Sequence, residues 1–126
     1  LQEMMQDQVG IVRREGEMKG ALEGLAKLRE RGKRVKVPGN REFNPSWHTA
    51  LDLPNLFTVS EAVARCAIER KESRGAHFRE DFPDKDPAWG KMNLVVRKAR
   101  DGAMQVDRVP LPEMPAELQQ VIEEMK

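Results

Sequence analysis

Apolar residues along this chain recur mostly at helical spacing. Leu1, Met4, Met5, Val9 and Val12 share one stripe over residues 1–13, weakened at Gly10 and broken at Gly16. From Glu17 onward, Met18, Ala21, Leu22, Leu25 and Leu28 recur at i, i+3, i+4, i+7 and i+10, which predicts an amphipathic helix ending near Gly32. Gly20 and Gly24 form a GxxxG pair within it, a pattern that associates membrane helices and carries little meaning in a polar one. At roughly 1 kcal/mol per glycine, this helix depends on its neighbours. Pro38, Gly39, Asn40 and Pro45 mark residues 35–45 as a loop. Ser46 is expected to cap a long helix whose apolar face begins at Trp47, with Pro54 kinking or splitting it near Asp52. Beyond Pro54, the stripe Val59, Ala62, Val63, Cys66 and Ala67, widened by Ala64 and Ile68, predicts the most buried helix. A polar run from Glu69 to Arg74 follows, and Gly75 reads as its C′ stop.

The period then changes. Pro83, Asp84, Asp86, Pro87 and Gly90 make residues 82–90 a loop. Leu94-Val95-Val96 and Met104-Gln105-Val106 flank Asp101-Gly102, a two-residue hairpin signal that puts Leu94 and Val96 on the face of Met104 and Val106. Pro110, Pro112 and Pro115 extend the tail, and Pro115 suits the first turn of a short helix with Leu118, Val121, Ile122 and Met125 on one side. The expected fold is mainly α: an antiparallel bundle of about three helices over residues 1–76, then a loop, a small β-hairpin and an extended C-terminal arm over residues 77–126. All of it is expected to form one domain.

Composition narrows the possibilities. At 126 residues one domain is the default. Charged residues reach 34%, above the usual ~25%, so the chain reads as a richly charged soluble domain. With 22 basic and 21 acidic side chains, net charge implies no polyanionic partner. One cysteine excludes an internal disulfide framework and a multi-cysteine zinc site. No uncharged apolar run approaches the ~18 residues of a membrane span, so no direct insertion is expected. The chain opens at Leu1 in the middle of a helical pattern, which suggests a fragment of something longer.

Candidate chemistry is thin. Residues 27–36 carry six cations, a patch able to hold phosphates, although a solvated helix end explains it better. His48 with Asp52 and His77 with Asp81 stand four apart, but two ligands fall short of a zinc site. Cys66 on an apolar face behaves as a small hydrophobe. Glu80, Asp81, Asp84 and Asp86 would act as acid and base only in an apolar pocket, and solvated or arginine-paired carboxylates are the better reading. There is no GxGxxG and no GxxxxGK[ST], hence no nucleotide fingerprint. No catalytic, cofactor-binding or metal-binding set emerges.

One segment goes further. Residues 72–83, Glu-Ser-Arg-Gly-Ala-His-Phe-Arg-Glu-Asp-Phe-Pro, followed by Asp86 and Trp89, closely resemble a motif of the flavoprotein subunit of succinate dehydrogenase and fumarate reductase, with L-aspartate oxidase a near relative. Residues 1–13, 22–31 and 55–62 resemble helical segments of the same family's C-terminal domain, so the likeness covers essentially the whole chain. The resemblance implies a parent enzyme that interconverts succinate and fumarate by hydride exchange with FAD and passes electrons to an iron–sulfur subunit. It implies that FAD-binding and capping domains precede this one and carry the catalytic residues. This domain would bind no cofactor and would scaffold the flavin domain. Arg74, Gly75, His77, Arg79 and Asp81 would then stand at a domain interface. The resemblance also implies a cytoplasmic protein held at the membrane periphery by partner subunits, with no nucleic-acid partner. The same domain of L-aspartate oxidase is one alternative. A free-standing helical module with a basic nucleic-acid-binding patch is another.

Overall fold

A computed structural model describes residues 1–125. Four helices alternate with two small strand pairs: α1 (Gln2–Val9), β1 (Val12–Arg13), α2 (Glu15–Gly32), α3 (Pro45–Glu69), β2 (Phe78–Arg79), a 3-10 turn (Trp89–Lys91), β3 (Met92–Lys98), β4 (Met104–Pro110) and α4 (Ala116–Glu124). The mainly α architecture with a hairpin and a C-terminal arm matches the expectation from sequence. α1, α2 and α3 form the bundle, each antiparallel to the next in sequence. Its core holds Val9, Met18, Ala21, Ala64 and Ala67, with Met5, Leu22 and Ile68 packed around them. Alanines face each other where α2 and α3 meet, so the two backbones approach closely.

The first helix is shorter than its apolar stripe suggests. It ends at Val9, and Gly10 turns to extended backbone. Arg13 then donates from Nε to the carbonyls of Val9 and Gly10, at 3.2 and 2.6 Å, closing the helix end from outside. The glycine pair of α2 has a use in this bundle. A β-carbon at Gly24 would lie 2.4 Å from Met4 Sδ, and one at Gly20 would touch Gln8 Oε1, so α1 crosses α2 over these two positions.

α3 differs from expectation in three ways. Its cap is Asn44, whose Oδ1 accepts from Ser46 N at 3.1 Å; Ser46 itself lies inside the helix and Pro45 takes the first position. It also runs through Pro54 without a break. Pro54 lacks only one N–H, the donor to the Ala50 carbonyl, and the packing of α3 along α2 outweighs that one lost bond. Finally, its buried face is Phe57, Ala64 and Ala67, whereas Val59 and Val63 are exposed. The inward row passes through Glu61, which pairs with Arg29 at 2.9 Å and Arg65 at 2.8 Å. A neutralised carboxylate on the inner face rotates the apolar reading away from the true one.

The hairpin register pairs Val96 with Val106 and Lys98 with Met104, which confirms the shared face. The connection is longer than two residues. Ala99 N donates to Ala103 O, Gly102 N donates to Ala99 O, and Gly102 sits at φ +86, a left-handed position that favours glycine. Trp89 lies between the guanidiniums of Arg70 and Arg108, at 5.2 and 4.7 Å from its centroid. Arg108 also pairs with Glu69 at 2.7 Å, and these contacts fasten the hairpin to the end of α3. Residues 111–115 are extended and α4 follows as expected, with every side chain of α4 exposed.

Candidate functional site

The segment after α3 folds back over the helix end. α3 stops at Glu69 with Arg70 as its C-cap, five residues before the expected stop. Gly75 instead occupies the corner of a tight turn at φ +59, where Arg74 N donates to His77 O and His77 N to Arg74 O, at 2.8 and 3.1 Å. This turn aims β2 back toward α1. There Val12 and Arg13 pair with Phe78 and Arg79 in parallel, sixty-six positions away in sequence.

The pairing carries Arg79 into the interior, where it is fully buried. Its Nη1 donates to the carbonyls of Ala67, Ile68 and Arg70 at 2.8, 3.1 and 3.3 Å, the carbonyls that the end of α3 leaves without helical donors. Its Nε and Nη2 grip both oxygens of Asp81 at 2.7 Å each, and Glu15 stands 3.5 Å away. Arg79 therefore serves as a cationic plug at the negative end of a 25-residue helix. The bonds from Arg79 are the first reason that the Asp81 carboxyl is held down at about 2.

Glu72 is the second buried charge. Arg74 donates from Nε and Nη2 to its two oxygens at 2.9 and 3.0 Å, Arg70 donates to Oε1, and Asp86 N donates to Oε2 at 2.9 Å. These bonds, that from Arg74 foremost, outweigh its burial and hold it at about 2. Buried Ser73 links the two charge sets: its Oγ accepts from Arg79 N at 2.8 Å and donates to Phe82 O at 2.9 Å.

His77 is half-buried between them. Nε2 lies 3.0 Å from the Arg70 carbonyl, so that nitrogen carries the hydrogen and donates. Nδ1 then accepts from Arg13 Nη1. Burial first, and then the charges of Arg13, Arg79 and Arg70, lower its pKa, so the ring is held neutral. The side chains of this network are thus committed: Glu72 and Asp81 are held as anions by their arginines, and both imidazole nitrogens of His77 are bonded. Such a site holds backbone in place.

The whole chain can be set beside known proteins. The family model "Fumarate reductase flavoprotein C-term" matches residues 1–124. The chain belongs to that family. The succinate dehydrogenase flavoprotein subunit of Coxiella burnetii is 42% identical over 99 residues, which is 77% of this chain and 17% of that protein. The solved structure of Mycobacterium smegmatis Sdh1 in complex with UQ1 overlays with a TM-score of 0.87 at 39% identity, covering 97% of this chain and 21% of that one. An L-aspartate oxidase of Yersinia pestis is 40% identical over a shorter stretch of 80 residues, 64% of this chain and 14% of that protein. The chain therefore spans about a fifth or less of the relatives it matches, and it matches them as a C-terminal flavoprotein domain. Family membership displaces the reading as a free-standing module.

Within this family member, the residues singled out from sequence part company. Arg74, Gly75 and Asp81 are exposed, His77 is half-buried, and Arg79 is buried with all its bonds inside the domain. Glu72, Ser73, Arg70 and Arg13 complete the network and were not marked as site residues beforehand. The signal available was the clustering of opposite charges in residues 69–81, which reads locally as a solvated run. The basic run at residues 27–36 is partly neutralised, since Arg29 pairs with Glu61 and Lys33 with Glu30. His48 is exposed on α3, and among the described residues no group of three or more His, Cys, Asp or Glu could hold a metal ion. Burial raises the pKa of the half-buried Cys66 thiol.

No helix N-terminus among the described residues is built to hold the pyrophosphate of FAD. A dinucleotide pyrophosphate needs open amides at a helix N-terminus. Here the first turns of α1, α2 and α4 carry Glu3, Glu15 with Glu17, and Glu117, which repel it, while the Asn44 side chain already takes up an amide at the start of α3. No helix among the described residues is long and apolar enough to cross a membrane.

Proposed function

We propose that this chain is one scaffolding domain, residues 1–126, of a longer flavoprotein subunit of the succinate dehydrogenase and fumarate reductase class. The complete enzyme interconverts succinate and fumarate by hydride exchange with FAD and delivers electrons to an iron–sulfur subunit. FAD and the reacting groups belong to flavin-binding and capping domains of the same polypeptide. The assembly is cytoplasmic and reaches the membrane through partner subunits, without insertion by this domain.

The observation that carries this reading is the closed ion network of residues 70–81. Its buried members lock the loop, and its outer edge presents Arg74, Gly75 and Asp81, with exposed Phe78, Ile11 and Val12 alongside. An apolar strip flanked by charges in fixed positions suits a surface that another domain covers. Arg74 and Asp81 bond that domain directly in this reading, Gly75 lets the turn approach it, and His77 and Arg79 fix the edge from behind.

Arg74→Ala and His77→Ala in the complete enzyme test the proposal. The expected result is loss of bound flavin on dilution or mild heating, with KM for the dicarboxylate little changed. Wild-type flavin retention in both variants would sink it. Bleaching of the flavin by succinate supports the dehydrogenase class, and bleaching by aspartate alone would assign the chain to L-aspartate oxidase instead.

A further inference from the structure

A groove of about 670 Å³ opens between the C-terminal end of α2, the middle of α3 and the tip of the hairpin. Leu53, Phe57, Val96 and Met104 give it an apolar floor. Its rim carries Arg29, Lys33, Arg97 and Lys98 together with Glu61; Arg29 is paired with Glu61 and Lys33 with Glu30. Among the described residues, Arg97 and Lys98 make no ion pair. The chemistry that fits is a short amphipathic helix with apolar residues on one side and carboxylates on the other.

The chain itself carries such a helix. α4 presents Leu118, Val121, Ile122 and Met125 at i, i+3, i+4 and i+7, and all four are exposed. Glu117, Glu123 and Glu124 flank that stripe, and residues 116–125 contain no cation. A nine-residue helix with no buried side chain is marginal alone and gains its stability by docking.

The arm argues against its own groove as the destination. β4 starts at the groove with Met104 and runs away from it to Pro110, about 20 Å at the rise of a strand. Pro110, Pro112 and Pro115 then keep residues 110–115 stiff and extended, with no glycine to reverse them. Leu111 N donates to Lys91 O at 2.9 Å, which holds the start of the arm on the outward course. The arm thus carries α4 away from the groove of its own copy.

We propose that α4 of a second copy of this chain fills the groove, so that two copies exchange C-terminal arms. The acidic side of each helix meets the Arg97–Lys98 rim of the other copy, and its apolar stripe covers Phe57 and Met104. Reciprocal exchange closes on two copies and leaves no free groove. Two short helices bury less than a standard interface of ~1,600 Å², so the dimer forms and dissociates with concentration.

Sedimentation of the complete flavoprotein over a wide concentration range tests this. The expected result is a doubling of mass at high concentration that shifts to still higher concentration as salt is raised. It is lost in Leu118→Glu/Ile122→Glu, whose sites are exposed and leave the fold intact. Mixing copies bearing Ala103→Cys with copies bearing Val121→Cys should give a disulfide-linked pair that needs both cysteines. A protein monomeric throughout, a dimer that survives Leu118→Glu/Ile122→Glu or ignores salt, an intact dimer without the mixed cross-link, or a cross-link confined to one copy of the double cysteine variant would each overturn the proposal.

Discussion

Arg79→Met keeps most of the buried stem and removes the guanidinium, and its cost can be worked from the contacts. Three bonds to the carbonyls of Ala67, Ile68 and Arg70 disappear. Ala67 is buried, so its carbonyl loses its side-chain donor where water is excluded, at a cost of about 1–3 kcal/mol, while the partly exposed Ile68 and Arg70 recover some bonding from solvent. Loss of a cation at the C-terminus of a long helix adds about 1 kcal/mol, and up to ~2 in a buried setting. The desolvation that burying the charge had cost is relieved, which offsets part of this. The net expectation is a loss of about 3–4 kcal/mol. With an unfolding entropy of about 2.1 cal/mol/K per residue, a chain of this length should lose ~11–15 °C in Tm. Arg79→Lys retains the charge but cannot grip Asp81 with two parallel bonds or reach three carbonyls at once, so it should lose about half as much. Urea and thermal unfolding followed by far-UV circular dichroism read both values, and an unchanged m-value confirms that the unfolding reaction is the same. A Met variant within about 1 kcal/mol of wild type, or a Lys variant as unstable as Met, would refute the cationic-plug account.

Other expectations follow from the same contacts. The carboxyls of Glu72 and Asp81 are lowered from 4.5 and 3.8 to about 2, so the stability they contribute is complete above those usual values and fades as pH falls through them toward 2. Glu72→Gln should flatten that acid limb of a stability–pH curve, and an unchanged limb would count against the network. His77 has a lowered pKa, so its contribution is present above the unfolded value near 6.5 and is lost as pH drops below it. His77→Gln should remove that extra slope in denaturation measured between neutral and mildly acidic pH. At Gly32 a β-carbon would stand 2.8 Å from the Phe57 ring, whose side chain is buried; Gly32→Ala should destabilise by about 1–2 kcal/mol despite its better helix propensity. Gly24→Ala meets only the flexible end of Met4 and should be neutral or stabilising by up to about 1 kcal/mol, and equal effects of the two changes in urea titrations would show that the ring contact is not rigid.

Local spacing determined much of this molecule. The stripe from Met18 to Leu28 became α2, the prolines and glycines of residues 35–45 and 82–90 became loops, the Asp101-Gly102 signal became a hairpin turn, and Pro115 led into α4. Each of these is governed by backbone preferences and side-chain periodicity within a few residues, which any stretch of chain carries with it. Residues 72–83 also marked the family before any fold was known, because the order of their side chains is specific even where their roles are hidden.

The tertiary structure decided what each charge was for. Glu61 reads as a solvent-facing residue until Arg29, thirty-two positions away, neutralises it and turns that face of α3 inward. Pro54 reads as a kink or a split until the bundle carries one continuous helix through it. Glu72 reads as a member of a polar run and Arg79 as an interface residue, yet both are fully buried. A charge enters the interior only where partners replace its water, and those partners here are the free carbonyls of a helix end, the carboxylate of Asp81, and a turn brought home by the pairing of Val12 with Phe78. That condition is set by residues distant in sequence, so hydropathy along the chain cannot express it.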